Sequence, residues 1–451
     1  MNPWTPGSWR NPPLITDQQV DWPDVAAKDE VLKQLKAMPP LIFAGEARRL
    51  KAELARAANG EAFVLQAGDC AETFEDFSAD RVRDGLKVML QMAAVLTFSA
   101  DVPVVKIGRV AGQFAKPRSS QTETMHDVTL PSYRGDMINR VHFSHAARTP
   151  DPANILHAYH QAAATLNLLR SFTKGGFAKL SSVHAWNMEF VAASPEGRRY
   201  ENIAGRIDSA LRFMKACGLD PETAVELQEV DFYTSHEALV LDYEEALTRQ
   251  DSTADGEWYD CSAAMLWLGT RTKGLDDGHI EFLRGIGNPL GCKVDPSNTP
   301  EEIVEICERL DPDREPGRLT LISRMGRAKV EDNLEPLIRA VSNAGHKVVW
   351  MCDPMHGNTT TASNGLKTRD FDDILEEITH FFHAHEECGT WPGGIHLEMT
   401  GDNVPECTGG GMRLGDSQLN DNYRTTCDPR LNAQQSLDLA FRVAELLEDF
   451  V

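Results

Sequence analysis

Eight short apolar runs alternate with amphipathic helical patterns along most of this 451-residue chain, and this alternation constrains the fold more than any other feature. Each run is continuously apolar and often β-branched, which is typical of strands buried on both faces of a parallel sheet. The predicted strands are 62–66, 103–107, 230–234, 264–268, 289–294, 319–323, 347–351 and 394–398. We therefore predict an α/β fold of the (β/α)8 TIM-barrel class, in which catalytic groups lie at the carboxyl ends of the strands.

Apolar positions at three-four spacing predict the helices that connect these strands. The clearest helical patterns cover 79–97, 152–172, 236–249, 370–387 and 434–450. We expect residues 1–60 to form an N-terminal extension with helices near 27–38 and 45–58, and residues 61–451 to form the catalytic barrel. Residues 174–228 are predicted to be helices inserted in the second βα unit. Such additions cover a barrel end, build an interface or bind an effector, and simple packing is an equal alternative.

Charge limits the possible partners. The formal net charge is −23, which argues against binding to nucleic acid or to an anionic membrane, because both need a basic surface. An anionic substrate must then bind in a local basic pocket. The chain has no apolar signal-like stretch at its amino terminus, and its nine cysteines show no C-x-x-C pair, so we expect a cytoplasmic protein.

Four side chains of different chemistry directly follow or closely trail apolar runs: Cys70, His356, Glu398 and Asp428. Together, a thiolate, an imidazole and two carboxylates form a complete site for a divalent metal. Mixed soft and hard donors favour manganese, cobalt, iron or zinc over magnesium or calcium, and Mn²⁺ is the ion we favour, with Co²⁺ and Zn²⁺ as alternatives. Taken singly, each residue more often packs, bonds locally or caps a helix; the shared placement at strand ends favours the metal site.

A second set of residues is basic. Its members lie at or just beyond strand ends and comprise Arg109, Lys116, Arg118, Lys293 and Arg324. After the strand that carries Arg109, a glycine-containing loop presents Lys116, Arg118 and the hydroxyl of Ser119 within a few residues, an arrangement suited to phosphate. Surface Lys and Arg are usually only solvated, but surface charges do not normally end buried β runs. Several such cations indicate more than one phosphate or carboxylate.

Several long motifs resemble one known family. They are QAGDCAETF at 66–74, VKIGRVAGQFAKPRS at 105–119, YRGDMIN at 133–139, DPMHGNT at 353–359, GGIHLEMTG at 393–401 and CDPRLN at 427–432. In these segments the chain closely resembles type II (plant-like) 3-deoxy-D-arabino-heptulosonate 7-phosphate (DAHP) synthase over nearly its whole length. The resemblance implies a (β/α)8 barrel that condenses phosphoenolpyruvate with erythrose 4-phosphate, the first step of the shikimate pathway.

Carried over residue by residue, the resemblance assigns roles. It makes Cys70, His356, Glu398 and Asp428 the metal ligands, and it assigns phosphoenolpyruvate to Arg109, Arg271, Lys293 and Arg324. It assigns erythrose 4-phosphate to Lys116, Pro117, Arg118 and Ser119, with Lys116 and Glu237 as catalytic members. The extension and the insert resemble those of longer family members, which implies a homo-oligomer, a dimer or tetramer, and an aromatic amino acid effector.

Three positions depart from the family pattern. Thr270 stands where the family usually has an acidic residue, with Lys273 replacing the last Arg of that motif, and Ala264 stands where His is expected. One alternative is therefore the same condensation on an amino or imino sugar phosphate in a secondary-metabolite pathway. Others are a non-catalytic regulatory paralogue and a metal-dependent hydrolase on the same fold, the last disfavoured because adding water to one substrate needs no second anion clamp.

Overall fold

A closed barrel of eight parallel strands forms the centre of the computed structural model, which describes residues 3–219, 228–254 and 256–450. Each strand pairs with the next along the chain, and the eighth pairs with the first. The strands are β1 (Phe63–Gly68), β2 (Val104–Arg109), β3 (Tyr233–Glu237), β4 (Met265–Leu268), β5 (Leu290–Val294), β6 (Leu319–Ser323), β7 (Val349–Cys352) and β8 (Gly394–Glu398). The predicted (β/α)8 fold is confirmed.

The prediction for β3 was wrong by three residues. Pairing with β2 begins at Tyr233, opposite Ile107, whereas the predicted strand began at residue 230. The apolar run there was misleading because Asp231 lies before the barrel and is about half exposed. At the other end, the polar residues Ser235 and His236 belong to the strand and are fully buried. The helix predicted over 236–249 is correspondingly shorter, at Leu241–Leu247.

Helices surround the barrel. In chain order they are α1 (Val25–Ala37), α2 (Ala44–Ala58), α3 (Ala79–Ala100), α4 (His145–Arg148), α5 (Ala153–Lys174), α6 (Leu180–Ala193), α7 (Gly197–Ala216), α8 (Leu241–Leu247), α9 (Gly278–Leu283), α10 (Pro300–Leu310), α11 (Val330–Asn343), α12 (Phe371–Cys388) and α13 (Ala433–Phe450). Helix α10 begins with a capping box, in which Thr299 and Glu302 each accept the other's backbone N–H, as its sequence predicts. None of the helices described is both long and apolar enough to span a bilayer.

The N-terminal extension covers both ends of the barrel. Leu50 and Leu54 of α2 pack against inward-facing apolar residues such as Val64 and Met351, so α2 fills the end at which the strands begin. Residues preceding α1 run instead along the rim at which the strands end, where Gln19 accepts a hydrogen bond from the backbone of Leu241 at 3.0 Å. The segment therefore lies against the half of the barrel where catalytic groups are expected.

The insertion in the second βα unit forms α6 and α7 on the outer surface, packed against α3 and α13. Tyr200 of α7 stacks on Phe441 of α13 with ring centroids 4.4 Å apart. Residues 220–227, the last part of the predicted 174–228 insert apart from residue 228, lie outside the described residues. Three small hairpins complete the fold, pairing Thr122–Met125 with Val128–Pro131, Thr248–Gln250 with Trp258–Asp260, and Thr360–Thr361 with Lys367–Thr368.

Candidate active site

Cys70, Glu398 and Asp428 converge at the carboxyl ends of β1 and β8. Their ligand atoms all lie within 4.8 Å of one another, although the three residues are far apart in the chain. Glu398 is the last residue of β8, Cys70 follows β1 by two residues, and these strands pair with Gly68 opposite Glu398. Asp428 comes from the loop before α13, and its backbone N–H points to the Cys70 sulfur at 3.3 Å. Closure of the barrel thus assembles three of the four predicted ligands.

His356 joins this group from the loop after β7. Its Nε2 lies 3.1 Å from Oε1 of Glu398. Its Nδ1 lies 2.8 Å from a carboxylate oxygen of Asp353, which is ionised because its cationic and imidazole neighbours hold its pKa well below the usual value despite full burial. An Nδ1–H that donates to Asp353 leaves Nε2 as a lone-pair donor directed at the other three residues, the usual arrangement for a metal-binding histidine.

The carboxylates are surrounded by cations. Burial alone would raise the pKa of Glu398, but nearby positive charges, among them Lys116 and Arg369, lower it well below its ordinary value. Lys116 Nζ lies 3.3 Å from Glu398 and 3.2 Å from Asp428, and Arg369 contacts the other oxygen of Glu398 at 2.8 Å. Both acids are consequently ionised and available as ligands at neutral pH.

These residues fit a divalent metal. The site brings together one thiol, one oriented imidazole and two ionised carboxylates, with their donor atoms close to one another. Such a donor set suits a transition metal. Burial raises the pKa of the Cys70 thiol, and a bound dication would reverse that effect by stabilising the thiolate. The ammonium of Lys116 lies within ion-pair distance of both carboxylates.

A cavity opens beside these ligands. Five of its lining residues are cations, namely Arg109, Lys116, Arg271, Lys293 and Arg324, and the others include Pro117, Glu237, Thr270, His356 and Asp428. So dense a positive charge in a chain of net charge −23 makes the cavity attractive to small anions, since a low-dielectric wall strengthens each interaction.

Lys293 and Arg324 are held at one side of the cavity. Burial, together with the nearby positive charges of Arg109 and Arg324, lowers the pKa of Lys293 to about 8, although Nζ pairs with Asp353. Arg324 donates to the carbonyl oxygen of His356 at 3.1 Å and to the hydroxyl of Thr270 at 3.4 Å. Asp353 therefore connects Lys293 with His356.

The three positions that depart from the family pattern lie in different surroundings. Thr270 lies at the cavity and accepts a hydrogen bond from Arg324, but it supplies no charge. Lys273 points away and pairs with Asp295 at 2.8 Å. Ala264 lies just before β4 in the apolar cluster inside the barrel and does not line the cavity. Only the Thr270 change is therefore positioned to affect a bound anion.

Only the first half of the KPRS loop, residues 116–119, lines the cavity. Lys116 and Pro117 line the cavity, whereas Arg118 and Ser119 do not. The Arg118 guanidinium is 33 % exposed and lies 3.9 Å from Glu123. The Arg118 backbone exchanges two 3.4 Å hydrogen bonds with the side-chain amide of Gln18. The N-terminal extension thus contacts the loop that the sequence associates with the second substrate.

Glu237, at the end of β3, lies at the base of the cavity. Burial raises its pKa, and the positive charges of Lys116 and Lys293 oppose that rise. Within the described part of the chain its Oε1 has no hydrogen-bond partner. A Cβ at position 269 would lie 2.1 Å from this oxygen, so any side chain at that position would displace the carboxyl group.

Several supporting residues were not predicted. Arg369, fully buried, contacts Glu398 and the carbonyl oxygen of Pro429. Two carboxylates, the half-buried Glu72 and the fully buried Glu406, hold the loops. Glu72 accepts three backbone N–H groups from residues 111–113, and Glu406 accepts from Arg430 and the backbone of Thr425. Asp353 could have been found, because it directly follows β7 as the ligands follow their strands. Arg369 and Glu406 carry no such signal.

Comparisons with known proteins agree with this site. The Class-II DAHP synthetase family model matches residues 4–444. A phospho-2-dehydro-3-deoxyheptonate aldolase of Streptomyces coelicolor is 55% identical over 448 residues, covering 99% of this chain and 98% of the relative. Phospho-2-dehydro-3-deoxyheptonate aldolase AroG of Mycolicibacterium smegmatis is 51% identical over 436 residues, covering 96% and 92%.

Similarity to solved structures is lower. The phospho-2-dehydro-3-deoxyheptonate aldolase of Francisella tularensis SCHU S4 aligns over 96% of this chain and 98% of that chain, with a TM-score of 0.47 and 13% identity. The assignment rests instead on the family model and on the relatives that exceed half identity over nearly the full length. The chain belongs to the class-II DAHP synthetase family.

Proposed function

We propose that this enzyme condenses phosphoenolpyruvate with D-erythrose 4-phosphate and water, giving 3-deoxy-D-arabino-heptulosonate 7-phosphate and phosphate. The observation that carries the proposal is one cavity in which five cations adjoin a complete set of metal donors. Two phosphorylated substrates need such a cavity, because their like charges must be held close together before a bond can form. Family membership supports the same reaction.

The basic residues divide between the substrates. We assign phosphoenolpyruvate to Arg109, Arg271, Lys293 and Arg324, and erythrose 4-phosphate to Lys116, Pro117, Arg118 and Ser119. Arg324 and Lys293 are buried or half-buried beside Asp353, so their charge is little screened by solvent. Arg118 does not line the cavity, so it has to turn from Glu123 to meet the phosphate of the longer substrate.

Cys70, His356, Glu398 and Asp428 would hold the divalent metal, and Mn²⁺ is the ion we propose. When bound, it would supply Lewis-acid polarisation of the aldehyde oxygen. The protein's own contribution is to keep both carboxylates ionised and the imidazole directed inward. Lys116 contacts both Glu398 and Asp428. Its ammonium would therefore lie close to a reacting substrate oxygen that approaches the metal donors.

We assign proton transfer to two residues, Lys116 and Glu237. The enol carbon of phosphoenolpyruvate attacks the aldehyde carbon, and the Lys116 ammonium gives its proton to the developing alkoxide. Water then adds to the neighbouring carbon, its proton passing to Glu237, whose unpartnered Oε1 lies at the cavity base. Phosphate finally leaves by cleavage of its carbon–oxygen bond. A carboxyl group with a raised pKa suits this exchange at neutral pH.

The remaining assignments concern the enzyme's setting. We propose a cytoplasmic homo-oligomer, a dimer or tetramer, that responds to an aromatic amino acid. Residues 1–60, as a separate extension, and the inserted helices α6 and α7 are the elements proposed to serve interface and regulation. Titration of activity with Trp, Phe and Tyr, alone and combined, tests the effector, and unchanged rates would exclude it.

Phosphate release tests the reaction. The enzyme, treated with chelator and then restored with single metals, is given phosphoenolpyruvate with and without erythrose 4-phosphate. We expect release only when the aldehyde and a transition metal are both present. Release without aldehyde would contradict the condensation. The 4-amino counterpart of erythrose 4-phosphate, used as acceptor in the same assay, shows whether Thr270 changes the preferred substrate.

A further inference from the structure

A layer of polar side chains crosses the barrel interior directly beneath the cavity. It comprises Gln66 of β1, Ser235 of β3 and His396 of β8, and all three are completely buried. A barrel interior is normally filled with branched apolar side chains, and a buried polar group is unfavourable unless it is hydrogen-bonded. The layer therefore needs an explanation, and the mechanism proposed above does not use it.

These side chains form a closed hydrogen-bond ring with β2. Arg109 Nη1 contacts His396 Nε2, and His396 Nδ1 lies 2.7 Å from Gln66 Oε1. The Gln66 amide nitrogen donates to Ser235 Oγ at 2.9 Å, and that hydroxyl donates to the carbonyl oxygen of Gly108 at 3.0 Å. The ring thus begins at Arg109 and returns to the preceding residue, passing through four adjacent strands.

The direction of every hydrogen bond follows from the arginine. A guanidinium can only donate, so Nε2 of His396 must accept and its proton must lie on Nδ1. That N–H then donates to the oxygen of the Gln66 amide, which fixes the amide so that its nitrogen faces Ser235. The Ser235 hydroxyl, having accepted from Gln66, is free to donate to Gly108. No member of the ring can be reversed without placing two donors or two acceptors together.

Arg109 is consequently fixed in orientation. Its Nε donates to the Asp69 carbonyl oxygen at 3.1 Å, and its Nη2 donates to Glu398 at 2.9 Å. It also lies over the Trp267 ring, 5.2 Å from the centroid. Of the five guanidinium N–H groups, the described residues engage three, one each on Nε, Nη1 and Nη2. The two that remain are the ones available to a ligand in the cavity.

We propose that His396, oriented by Gln66 and Ser235, is a positioning residue that aims the two free N–H groups of Arg109 at phosphoenolpyruvate. This inference rests on the proposed function. It assigns the polar layer a role in binding one substrate, although none of its three residues lines the cavity.

The test compares substitutions of His396 in the metal-loaded enzyme. H396L removes the acceptor, whereas the amide oxygen of H396Q can still accept from Arg109. We expect H396L to raise the KM and the Kd for phosphoenolpyruvate about ten- to a hundredfold, the range for losing a hydrogen bond to a charged group. The kcat and the KM for erythrose 4-phosphate should change less than about threefold, and H396Q should restore most of the affinity.

His385 provides the matched control. It is a fully buried histidine on α12 with one side-chain hydrogen bond, Nδ1 to Thr390 at 2.7 Å, and it is not among the cavity-lining residues. H385L should leave both KM values unchanged. If H396L fails to fold, S235A breaks the ring at its far end and should raise the KM for phosphoenolpyruvate by a few fold. A combined H396Q and S235A variant should show less than additive effects.

The proposal is overturned if H396L binds phosphoenolpyruvate as tightly as wild type, if both substrates weaken equally, or if H396Q is no better than H396L. Wild-type turnover decides the proposed reaction separately. An enzyme that binds phosphoenolpyruvate by calorimetry but does not condense it would contradict the reaction while still testing the ring. Absence of phosphoenolpyruvate binding to wild type would exclude both.

Discussion

Removing the Glu377 carboxyl group should disable the site from outside the barrel. Glu377 lies on α12, is fully buried, and joins the loops after β6 and β7. One oxygen accepts the backbone N–H groups of Met325 and Gly326, both at 2.9 Å, and the other accepts the Asn358 amide at 2.7 Å. These loops carry Arg324 and His356, so we expect Glu377 to hold both in place.

Comparison of E377A with E377Q gives the size of the expected losses in stability and in kcat/KM. Burial raises the pKa of Glu377 to about 8, so a comparison of two uncharged variants avoids the ionisation of wild type. E377Q keeps an oxygen for the two backbone donors, whereas E377A leaves them without it. Each unpaired buried donor destabilises by about 1–3 kcal/mol, and there are two of them, so E377A should be about 2–6 kcal/mol less stable than E377Q. Its kcat/KM should fall more than about tenfold below that of E377Q, because a displaced binding group weakens transition-state contacts.

Denaturant unfolding and steady-state kinetics measure the two effects. E376Q is the control, because Glu376 is on the same helix and contacts the same loop through Arg327 at 2.7 Å, but lies at the surface. It should change stability and kcat/KM little. E377A with the kcat/KM and metal affinity of E377Q would refute the reasoning, even if its stability were reduced.

Three further predictions address charge. C70A should weaken divalent-metal binding at least about tenfold by calorimetry, and unchanged affinity would remove Cys70 from the ligand set. R369M should lower the free energy of unfolding by about 3–5 kcal/mol, because the buried Glu398 loses a partner; a loss below about 1 kcal/mol in denaturant titration would contradict this. Burial raises the pKa of Glu244 to about 8, and a carboxyl with a raised pKa loses its stabilising contribution as pH rises through that value. The free energy of unfolding of wild type should therefore fall by up to about 2 kcal/mol relative to that of E244Q between pH 6.5 and 8. In the folded protein the adjacent His236 titrates below this range, because burial lowers its pKa to about 4. Equal unfolding curves at both pH values would contradict it.

Much of the barrel is predictable because strand burial is a local property of the sequence. Each strand except β3 lies within two residues of its prediction, since a run of branched apolar residues between polar turns can only be buried. The prediction failed at β3 because Ser235 and His236 are polar and yet buried. Their partners, Gln66 for one and Glu244 for the other, lie on other elements, and no local pattern identifies them.

In the candidate site, too, some residues can be predicted from the local sequence and others cannot. Cys70, Glu398 and Lys293 follow or lie within apolar runs, so a rule about strand ends selects them, and the cavity brings Lys293 together with four other cations. Arg369 precedes a helix and Glu377 lies within one, where charged residues are ordinary. Their importance depends on tertiary contacts, to Glu398 and to the backbone of Gly326, which only the folded chain reveals.

The extension before β1 has a practical consequence for anyone dividing this protein. Leu50 and Leu54 of the extension pack into one end of the barrel. At the other end, Gln18 forms hydrogen bonds with the backbone of Arg118, so the extension contacts both ends. A shortened version starting at residue 61 would retain every barrel strand. It would, however, expose apolar side chains at one end of the barrel and free, at the other, the loop to which we assign erythrose 4-phosphate. By these contacts the extension packs against both ends of the barrel that carries the candidate site.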